Sequence, residues 1–439
     1  MRAWVLPLGL LVAANLFGLR HLWAADAPWV DRENHDTRVM LRHLEQGGFS
    51  WEWFTGDWPL QNGMYRPLPT VAFYVDYRLW GSRIDLYRAT NALIALACVL
   101  AVVWLAWELF RSRGLALLAG LVFTAWQTGL AGLPLVEPLS KLFAAGLLAY
   151  GAIERRGKAR DWLLAAAAVW LIGLELSFGF GQTDLTNQTF DYRVFGWPPG
   201  RTATIMALFA VVGIAAYCRF ERERLARWLL PAAIGLMGAL ASHEQAVAVP
   251  GLLLLAGGAL ALQGLRIRWW APAAAWGVLG LYLWFHLTAL TADSAYLQEH
   301  TRGIEGAARS LSHWLFPARQ GILHLLQFFE SGIGPPVAIT FGFWASLANV
   351  AGNAGGLLAA APYRRSAIGL IGSAWAYAPT SGLLPLSHYA YLPAAFRCLF
   401  VAALALSAWE LLSRARSTEL APDQGLIDGG RQQHEPNQE

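Results

Sequence analysis

Charged residues are scarce in this chain, and lysine and cysteine are scarcer still. Only 14% of its 439 residues are charged, against about 25% in a typical soluble domain, so an ordinary soluble domain is excluded. Three cysteines lie within or at the end of separate apolar runs and predict neither a disulfide framework nor a zinc site. Lys141 and Lys158 are the only two lysines, against 31 arginines. This bias suggests a GC-rich genome and hence a bacterial inner membrane.

Long apolar runs make up most of the chain. The mean hydropathy is +0.39 and there are 22 tryptophans, a residue that concentrates at membrane interfaces. A helix needs about 17–25 largely apolar residues to cross a bilayer. The chain is therefore predicted to be an all-α polytopic membrane protein with about twelve transmembrane helices. The predicted spans are approximately 4–23, 90–110, 114–134, 138–153, 161–179, 201–218, 228–242, 245–263, 270–290, 335–361, 367–386 and 391–412.

Basic residues mark every second loop between these spans. Short cytoplasmic loops carry an excess of arginine and lysine, so this alternation predicts that both termini are cytoplasmic. It also accounts for the basic residues without a nucleic acid, and no nucleic-acid partner is predicted. The clusters are Arg111 and Arg113; Arg155, Arg156, Lys158 and Arg160; Arg219, Arg222, Arg224 and Arg227; Arg266 and Arg268; Arg364 and Arg365; and Arg414 and Arg416.

The N-terminus allows a second interpretation. Arg2, the apolar stretch after it and the small residues around Ala25 resemble a signal peptide with its cleavage site. The stretch 3–19 is longer than the usual apolar region of about 7–15 residues, which favours an uncleaved first span. Cleavage would leave the later topology unchanged.

The loops predicted on the exoplasmic face have a different character. The first, about 24–89, and the fifth, about 291–334, are long, and the third, 181–200, is polar. One transmembrane domain is predicted over 1–412. The polar tail 413–439 is expected to be disordered and cytoplasmic.

Most ionisable residues that the topology does not explain lie on this exoplasmic side. They are the polar run Asp31–Thr37, the pair Glu137 and Lys141, and the short stretches at His243–Glu244 and His388–Tyr389. Ionisable groups near the hydrocarbon usually face a cavity or a partner. Plainer interpretations stay open: a local salt bridge between Glu137 and Lys141, an interfacial turn at His243, and a solvated first loop.

Three stretches resemble motifs of a known membrane family, in the family's order. They are "GMYRPLPTVAFYVDYRLWGSRIDLYRATNALIAL" (63–96), "ASHEQAVAVP" (241–250) and "LLPLSHYAYLP" (383–393). The set resembles the GT-C superfamily of polyprenyl-phosphate-dependent membrane glycosyltransferases, in particular the transmembrane O-mannosyltransferases that carry TPR repeats, and their bacterial relatives. His243 stands where that family has lysine, and His388 where it has arginine. No TPR array follows, so nothing points to a protein acceptor in particular.

The resemblance implies a sugar transfer from a polyprenyl-phosphate donor in the bilayer to a hydroxyl of a glycan, lipid or protein. It implies a catalytic carboxylate early in the first exoplasmic loop, for which Asp36 is the first candidate and Asp31 the second. An apolar helical pattern at Val39, Met40 and Leu44 predicts that Asp36 lies at the start of a helix.

The donor itself would be bound mainly by Arg66. The plainer interpretation of Arg66, a structural ion pair with an acid of a loop, also stays open. Arginine or protonated histidine can stabilise the negative charge that collects on the leaving phosphate. Pro67 should hold Arg66 in an extended backbone conformation. Further substrate-binding candidates are Tyr65, His243, Glu244, His388, Tyr389 and Glu137. No metal ligands are assigned, and a requirement for a divalent cation stays open.

Two other functions share the same composition. Twelve spans would suit a membrane transporter, although transporters tend to show related halves with a site near the midplane, and no such repeat is visible. A ligase or flippase of lipid-linked polysaccharides would use the same kind of lipid. The concentration of polar residues in the exoplasmic loops favours the glycosyltransferase.

Overall fold

The structure is a computed structural model that describes residues 2–23, 35–60, 63–128, 161–162, 164–169, 172, 192–290, 301, 303, 306–307, 311, 355, 359, 363–383 and 386–417. Regular structure in these residues is helical apart from one isolated β-bridge, which confirms the all-α prediction for this part. The helices are α1 (Arg2–Gly18), α2 (His35–Gly47), α3 (Pro67–Trp80), α4 (Ile84–Phe110), α5 (Arg113–Gln127), α6 (Arg201–Glu223), α7 (Leu229–Leu240), α8 (Val249–Ala261), α9 (Trp270–Ala289), α10 (Arg364–Tyr377) and α11 (Tyr391–Ser417).

Four segments of the described chain are long and apolar enough to cross a membrane: Asp85–Phe110, Pro198–Glu223, Glu244–Ala261 and Ser387–Ser413. This composition indicates a membrane protein. The predicted span 138–153, nearly all of 335–361, most of 161–179 and most of the fifth exoplasmic loop lie outside the described residues. The count of about twelve spans therefore stays a prediction.

Two helix boundaries differ from the predicted spans for local reasons. The second predicted span starts at Ile84 rather than near 90, because its polar first turn is also helical and places Asp85 at the positive end of the helix dipole. The eleventh ends at Tyr377 rather than near 386. Pro379 follows in the short 3-10 turn Ala378–Thr380, and proline has no N–H with which to continue the α-helix.

One main core joins the apolar helices. It contains buried side chains of α4, α5, α6, α8, α10 and α11. At one close contact, between α6 and α7, a Cβ added to Gly235 would lie 2.3 Å from the Cα of Gly213. Small residues allow such close backbone approach between membrane helices. A separate small core lies beneath α2 and α3 and is built from Met40, Leu44, Trp53, Trp58, Phe73 and Tyr87.

The arginine clusters of three predicted loops meet at one end of the helices, here called the arginine end (Arg111, Arg219, Arg222, Arg224 and Arg268). The Nε of Arg222 donates to the carbonyl of Glu108 at 2.7 Å, and its Nη2 donates to Leu109 at 3.1 Å. The backbone N–H of Arg268 lies 3.2 Å from both carboxylate oxygens of Glu221. Spans two, six and eight therefore end on the same side, as predicted; which side is cytoplasmic stays a prediction.

At this end, the helices α4 and α6 terminate in the same way. Both α4 and α6 stop at an arginine in the left-handed conformation, Arg111 (φ 52°) and Arg224 (φ 62°). Each arginine pairs with a buried glutamate three residues earlier, Glu108 and Glu221. The cation also lies at the negative end of the helix dipole, where it is stabilising.

The opposite end, called the histidine end after His243 and His388, holds the starts of α4, α6, α8 and α11. The Nη2 of Arg201, at the start of α6, donates to the carbonyl of Tyr87 at 3.1 Å. The ring of Trp197 lies 5.8 Å from that of His388. The four long apolar segments therefore run in the same direction, from the histidine end to the arginine end.

Candidate functional site

A short, well-fixed loop places Arg66 at the start of α3. The carboxylate of Asp57 accepts from the backbone N–H groups of Trp58 (2.7 Å) and Gly63 (2.9 Å), and Gly63 has a φ of +73°, a value that suits glycine. Pro67 then occupies the first helical turn, where its missing N–H costs nothing. Arg66 has φ −138° and ψ 54°, so it lies outside the helical region as predicted, but with a smaller ψ than a fully extended residue.

Arg66 forms a two-point ion pair with Glu244. Its Nε lies 3.3 Å from Oε1 and its Nη2 lies 2.7 Å from Oε2, and its guanidinium stands 4.8 Å from the ring centroid of Trp58. The Arg66 side chain is 8% exposed and that of Glu244 is 29% exposed. Two candidate residues that are 178 positions apart in the sequence are thus in direct contact.

His243 lies beside this pair, in the turn between α7 and α8. Its Nδ1 accepts from the backbone N–H of Gln245 at 3.1 Å, so the ring is in the tautomer that carries its hydrogen on Nε2. Nε2 is buried and has no hydrogen-bond partner in the described structure. His243 therefore holds a donor that a ligand could use.

The charge state of His243 differs from the one expected for a phosphate ligand. Burial and the charge of Arg66 lower the pKa of His243, against the opposing effect of Glu244. The ring is therefore neutral at pH 7. The 3.7 Å separation between His243 Nδ1 and Glu244 Oε2 is consequently not an ion pair, and His243 can contribute a hydrogen bond but not a positive charge.

His388 and Tyr389 complete the cluster from the third motif. They lie in the 3-10 turn Ser387–Ala390 before α11 and are both buried. The ring centroids of His388 and Tyr389 are 4.3 Å apart, and the ring of His243 lies 6.2 Å from the first and 5.7 Å from the second. The three motif stretches thus converge on one place at the histidine end.

A residue that the sequence interpretation missed holds these stretches together. The buried Nε2 of Gln245 donates to the carbonyls of Tyr389 (2.8 Å) and Ala376 (2.9 Å) and lies 3.5 Å from the hydroxyl of Thr380. It therefore ties the His243 turn to the end of α10 and to the His388 turn. The sequence did hold a sign of this role, because Gln245 is a third polar residue directly after His243 and Glu244, in a short stretch between two apolar runs.

Asp36 lies in the first turn of α2, as predicted. Met40 and Leu44 are buried in the same small core as Trp58, and Trp58 contacts Arg66. The helix α2 also packs near the 3-10 turn Pro198–Gly200, directly after Trp197. Asp36 is therefore carried by a helix that joins both sides of the cluster. Asp31, Glu137 and Lys141 lie outside the described residues.

Sequence interpretation also missed a fully buried ion pair at this end. Arg201 Nη1 lies 2.6 Å from Asp76 Oδ2, with side chains 0% and 2% exposed. The hydroxyl of Thr90 donates to Asp76 Oδ1 at 2.7 Å, and the Arg201 guanidinium lies 4.5 Å from the ring centroid of Phe73. A signal was present: Arg201 is a basic residue at the predicted exoplasmic end of a span, where the positive-inside alternation does not explain it.

Among the described residues, no group of three or more histidine, cysteine, aspartate or glutamate side chains could hold a metal ion. The three cysteines are buried and form no disulfide. No family model, no curated protein and no solved structure matches this chain.

Proposed function

We propose that this chain is an integral-membrane glycosyltransferase of the GT-C type. It would transfer a hexose from a polyprenyl-phosphate donor to an acceptor hydroxyl at the exoplasmic face of a bacterial inner membrane. One observation carries the proposal. The three stretches that resemble family motifs, at Tyr65–Arg66, His243–Glu244 and His388–Tyr389, form a single cluster at the histidine end, although the chain between them includes several membrane helices.

The cluster has the groups that a lipid-linked phosphate requires. Arg66 carries a permanent positive charge and binds oxygen pairs in a two-point geometry, as its contact with the Glu244 carboxylate demonstrates. Phosphate oxygens can bind at the same guanidinium. The Nε2–H of His243 adds a buried donor that has no other partner in the described chain. Fixed donors of this kind stabilise negative charge as it develops on a leaving group.

Asp36 is the proposed general base. An acceptor hydroxyl must lose its proton as it attacks the anomeric carbon of the donor sugar, while the bond from that carbon to the phosphate oxygen breaks. Glu244 is a weaker candidate because its ion pair with Arg66 stabilises its charged form and makes it less basic. Asp36, in the first turn of the helix that packs beside the cluster, would receive the proton.

The decisive experiment is a transfer assay in membranes with synthetic polyprenyl-phosphate sugars. We expect Asp36→Asn to lower turnover by about 10²-fold or more while donor binding is retained, because it removes the base and keeps the shape. Arg66→Ala should weaken donor binding as well as turnover, since the phosphate is charged before and during transfer. Asp85→Asn, a change of the same kind in a half-exposed pair with Arg83, is the matched control and should behave as wild type.

Each result has a distinct meaning. Absence of transfer from every donor offered to the wild-type protein would overturn the proposed function. Transfer by Asp36→Asn at the rate of Asp85→Asn would instead remove Asp36 from the role of base. Asp31→Asn and Glu244→Gln would then be the next variants to measure.

Sidedness can be tested separately with single cysteines, because the native cysteines are buried. Arg83→Cys lies at the histidine end and Leu262→Cys at the arginine end, and both positions are exposed. A membrane-impermeant thiol reagent should label the first and not the second in intact cells. The reverse pattern would place the cluster on the cytoplasmic face and contradict the proposal.

A further inference from the structure

Two buried polar atoms on α9 have no hydrogen-bond partner in the described structure. They are the hydroxyl oxygen of Tyr282 and the Nδ1 of His286. The residues are one helical turn apart, and their rings stack with centroids 5.7 Å apart at an angle of 23°. Buried polar atoms in folded proteins nearly always have partners, so such a pair calls for an explanation.

Both residues lie next to the cluster at the histidine end. The ring of Tyr65, the residue before Arg66, lies 6.2 Å from Tyr282 and 5.2 Å from Phe285. The charges of Arg66 and Glu244 both act on the Tyr282 hydroxyl. Tyr65 cannot satisfy Tyr282, since its own hydroxyl donates to the carbonyl of Phe54 at 3.1 Å. Tyr282 is thus separated from the proposed phosphate site by a single aromatic side chain, and His286 stacks on Tyr282.

The chemistry of these two groups restricts the ligand. A tyrosine hydroxyl donates and accepts, and an unprotonated imidazole nitrogen accepts. The tyrosine hydroxyl carries no positive charge with which to bind a phosphate, and a hydrocarbon chain would leave both groups without partners. A neutral polyol satisfies both, because each of its hydroxyls can donate and accept. The stacked rings also present apolar faces on which the C–H face of a sugar ring can rest.

Resting on the proposed function, we propose that Tyr282 and His286 form the subsite for the sugar of the donor, while Arg66 and His243 hold its phosphate. In this arrangement the two residues determine which sugar is accepted. They bind the hydroxyls and take no part in bond making or breaking.

The test compares two probes on the full-length protein in detergent: a polyprenyl phosphate without sugar and the same lipid carrying a hexose. Both variants keep an aromatic ring: Tyr282→Phe removes the hydroxyl, and His286→Phe removes both ring nitrogens. We expect each variant to raise the dissociation constant of the sugar-bearing lipid about tenfold, the effect of one lost hydrogen bond to a buried group. The dissociation constant of the sugar-free lipid should be unchanged.

Thr288→Val is the matched control. It also removes a hydroxyl from α9, but that hydroxyl is exposed and donates to the carbonyl of Trp284 within the helix. Both dissociation constants should stay at their wild-type values.

The outcomes separate this inference from the proposed function. Suppose that the sugar-free lipid binds and that Arg66→Ala weakens its binding. If Tyr282→Phe and His286→Phe then leave the dissociation constants of both lipids unchanged, or raise both equally, the sugar subsite is refuted and the proposed function stands. If the wild-type protein binds neither probe, or if Arg66→Ala leaves both affinities unchanged, the proposed function fails and the subsite fails with it.

Discussion

The buried acids at the arginine end are paired with arginines, whereas several buried donors and acceptors near the cluster at the histidine end have no partner in the described chain. At the arginine end, the buried carboxylate of Glu108 contacts Arg111 and Arg219, and that of Glu221 contacts Arg224 and the backbone of Arg268. At the histidine end, His243 Nε2, Tyr282 Oη and His286 Nδ1 are buried without a partner in the described chain. A saturated network fixes helix ends in place, whereas unsatisfied donors and acceptors are available to a ligand.

The comparison is not uniform, because the histidine end also contains a buried ion pair. The pair Asp76–Arg201 joins α3 to α6 and receives the hydroxyl of Thr90 on α4. We interpret this pair as a scaffold on which the less satisfied cluster is held. Substitutions at the two ends test this difference through their effects on stability.

Asp76→Ala should have the largest effect on stability. It would leave the guanidinium of Arg201 buried and without its carboxylate, which costs about 3–5 kcal/mol in comparable buried pairs. Asp85→Ala breaks the Arg83–Asp85 pair, whose side chains are 68% and 35% exposed, and should cost at most about 1 kcal/mol. Denaturant-induced unfolding in detergent would measure both. Equal, small losses would show that the buried pair is not a scaffold.

A matched pair of glutamines compares the two ends directly. Gln245 and Gln263 each donate from Nε2 to two carbonyls, those of Ala376 and Tyr389 and those of Leu109 and Ala259. Gln245 is buried, whereas Gln263 is exposed.

Replacement of each by leucine should therefore give different losses. Gln245→Leu would leave two buried carbonyls without a donor and should destabilise by about 2–3 kcal/mol. Gln263→Leu should cost less than about 1 kcal/mol because water can reach the freed carbonyls. The same unfolding measurement applies. If Gln263→Leu lowered the free energy of unfolding more than Gln245→Leu, the hydrogen bonds of Gln263 at the arginine end would contribute more to stability than those of Gln245.

Local patterns in the sequence were sufficient to predict several elements of this fold. The apolar spacing of Met40 and Leu44 predicted a helix that starts near Asp36, and α2 begins at His35 with both side chains buried. The alternating arginine clusters predicted which spans end together. These features depend on residues a few positions apart, or on a composition that repeats along the chain.

Contacts between distant segments were not predictable in the same way. The pairs Arg66–Glu244 and Asp76–Arg201 depend on how α3, α6 and the turn after α7 pack. One sequence without an alignment carries no signal of that packing. The neutral state of His243 likewise follows from its burial and its position beside Arg66, so the expected protonated histidine was replaced by a neutral donor once the contact was known.

The smallest expected effect concerns the pH dependence of stability through His243. Burial and Arg66 lower its pKa in the folded protein, while an unfolded histidine has a pKa of about 6.5. Below that pH the unfolded chain binds a proton that the folded chain excludes, so stability falls as the pH falls. Between pH 6.5 and 5 the loss should be about 1–2 kcal/mol, at roughly 1.36 kcal/mol per pH unit. Above pH 7 this contribution should be constant.

His243→Asn isolates this term from the other titrating groups. Asparagine can accept from the N–H of Gln245 with its side-chain oxygen, and it does not titrate. Arg66, Glu244, His388 and Tyr389, which surround His243, are present in both proteins. The difference in unfolding free energy, wild type minus variant, should therefore decrease as the pH is lowered from 7 to 5. A difference that is flat, or that grows in acid, would mean that His243 is protonated in the folded state, and the histidine end would then hold a net positive charge before any donor binds.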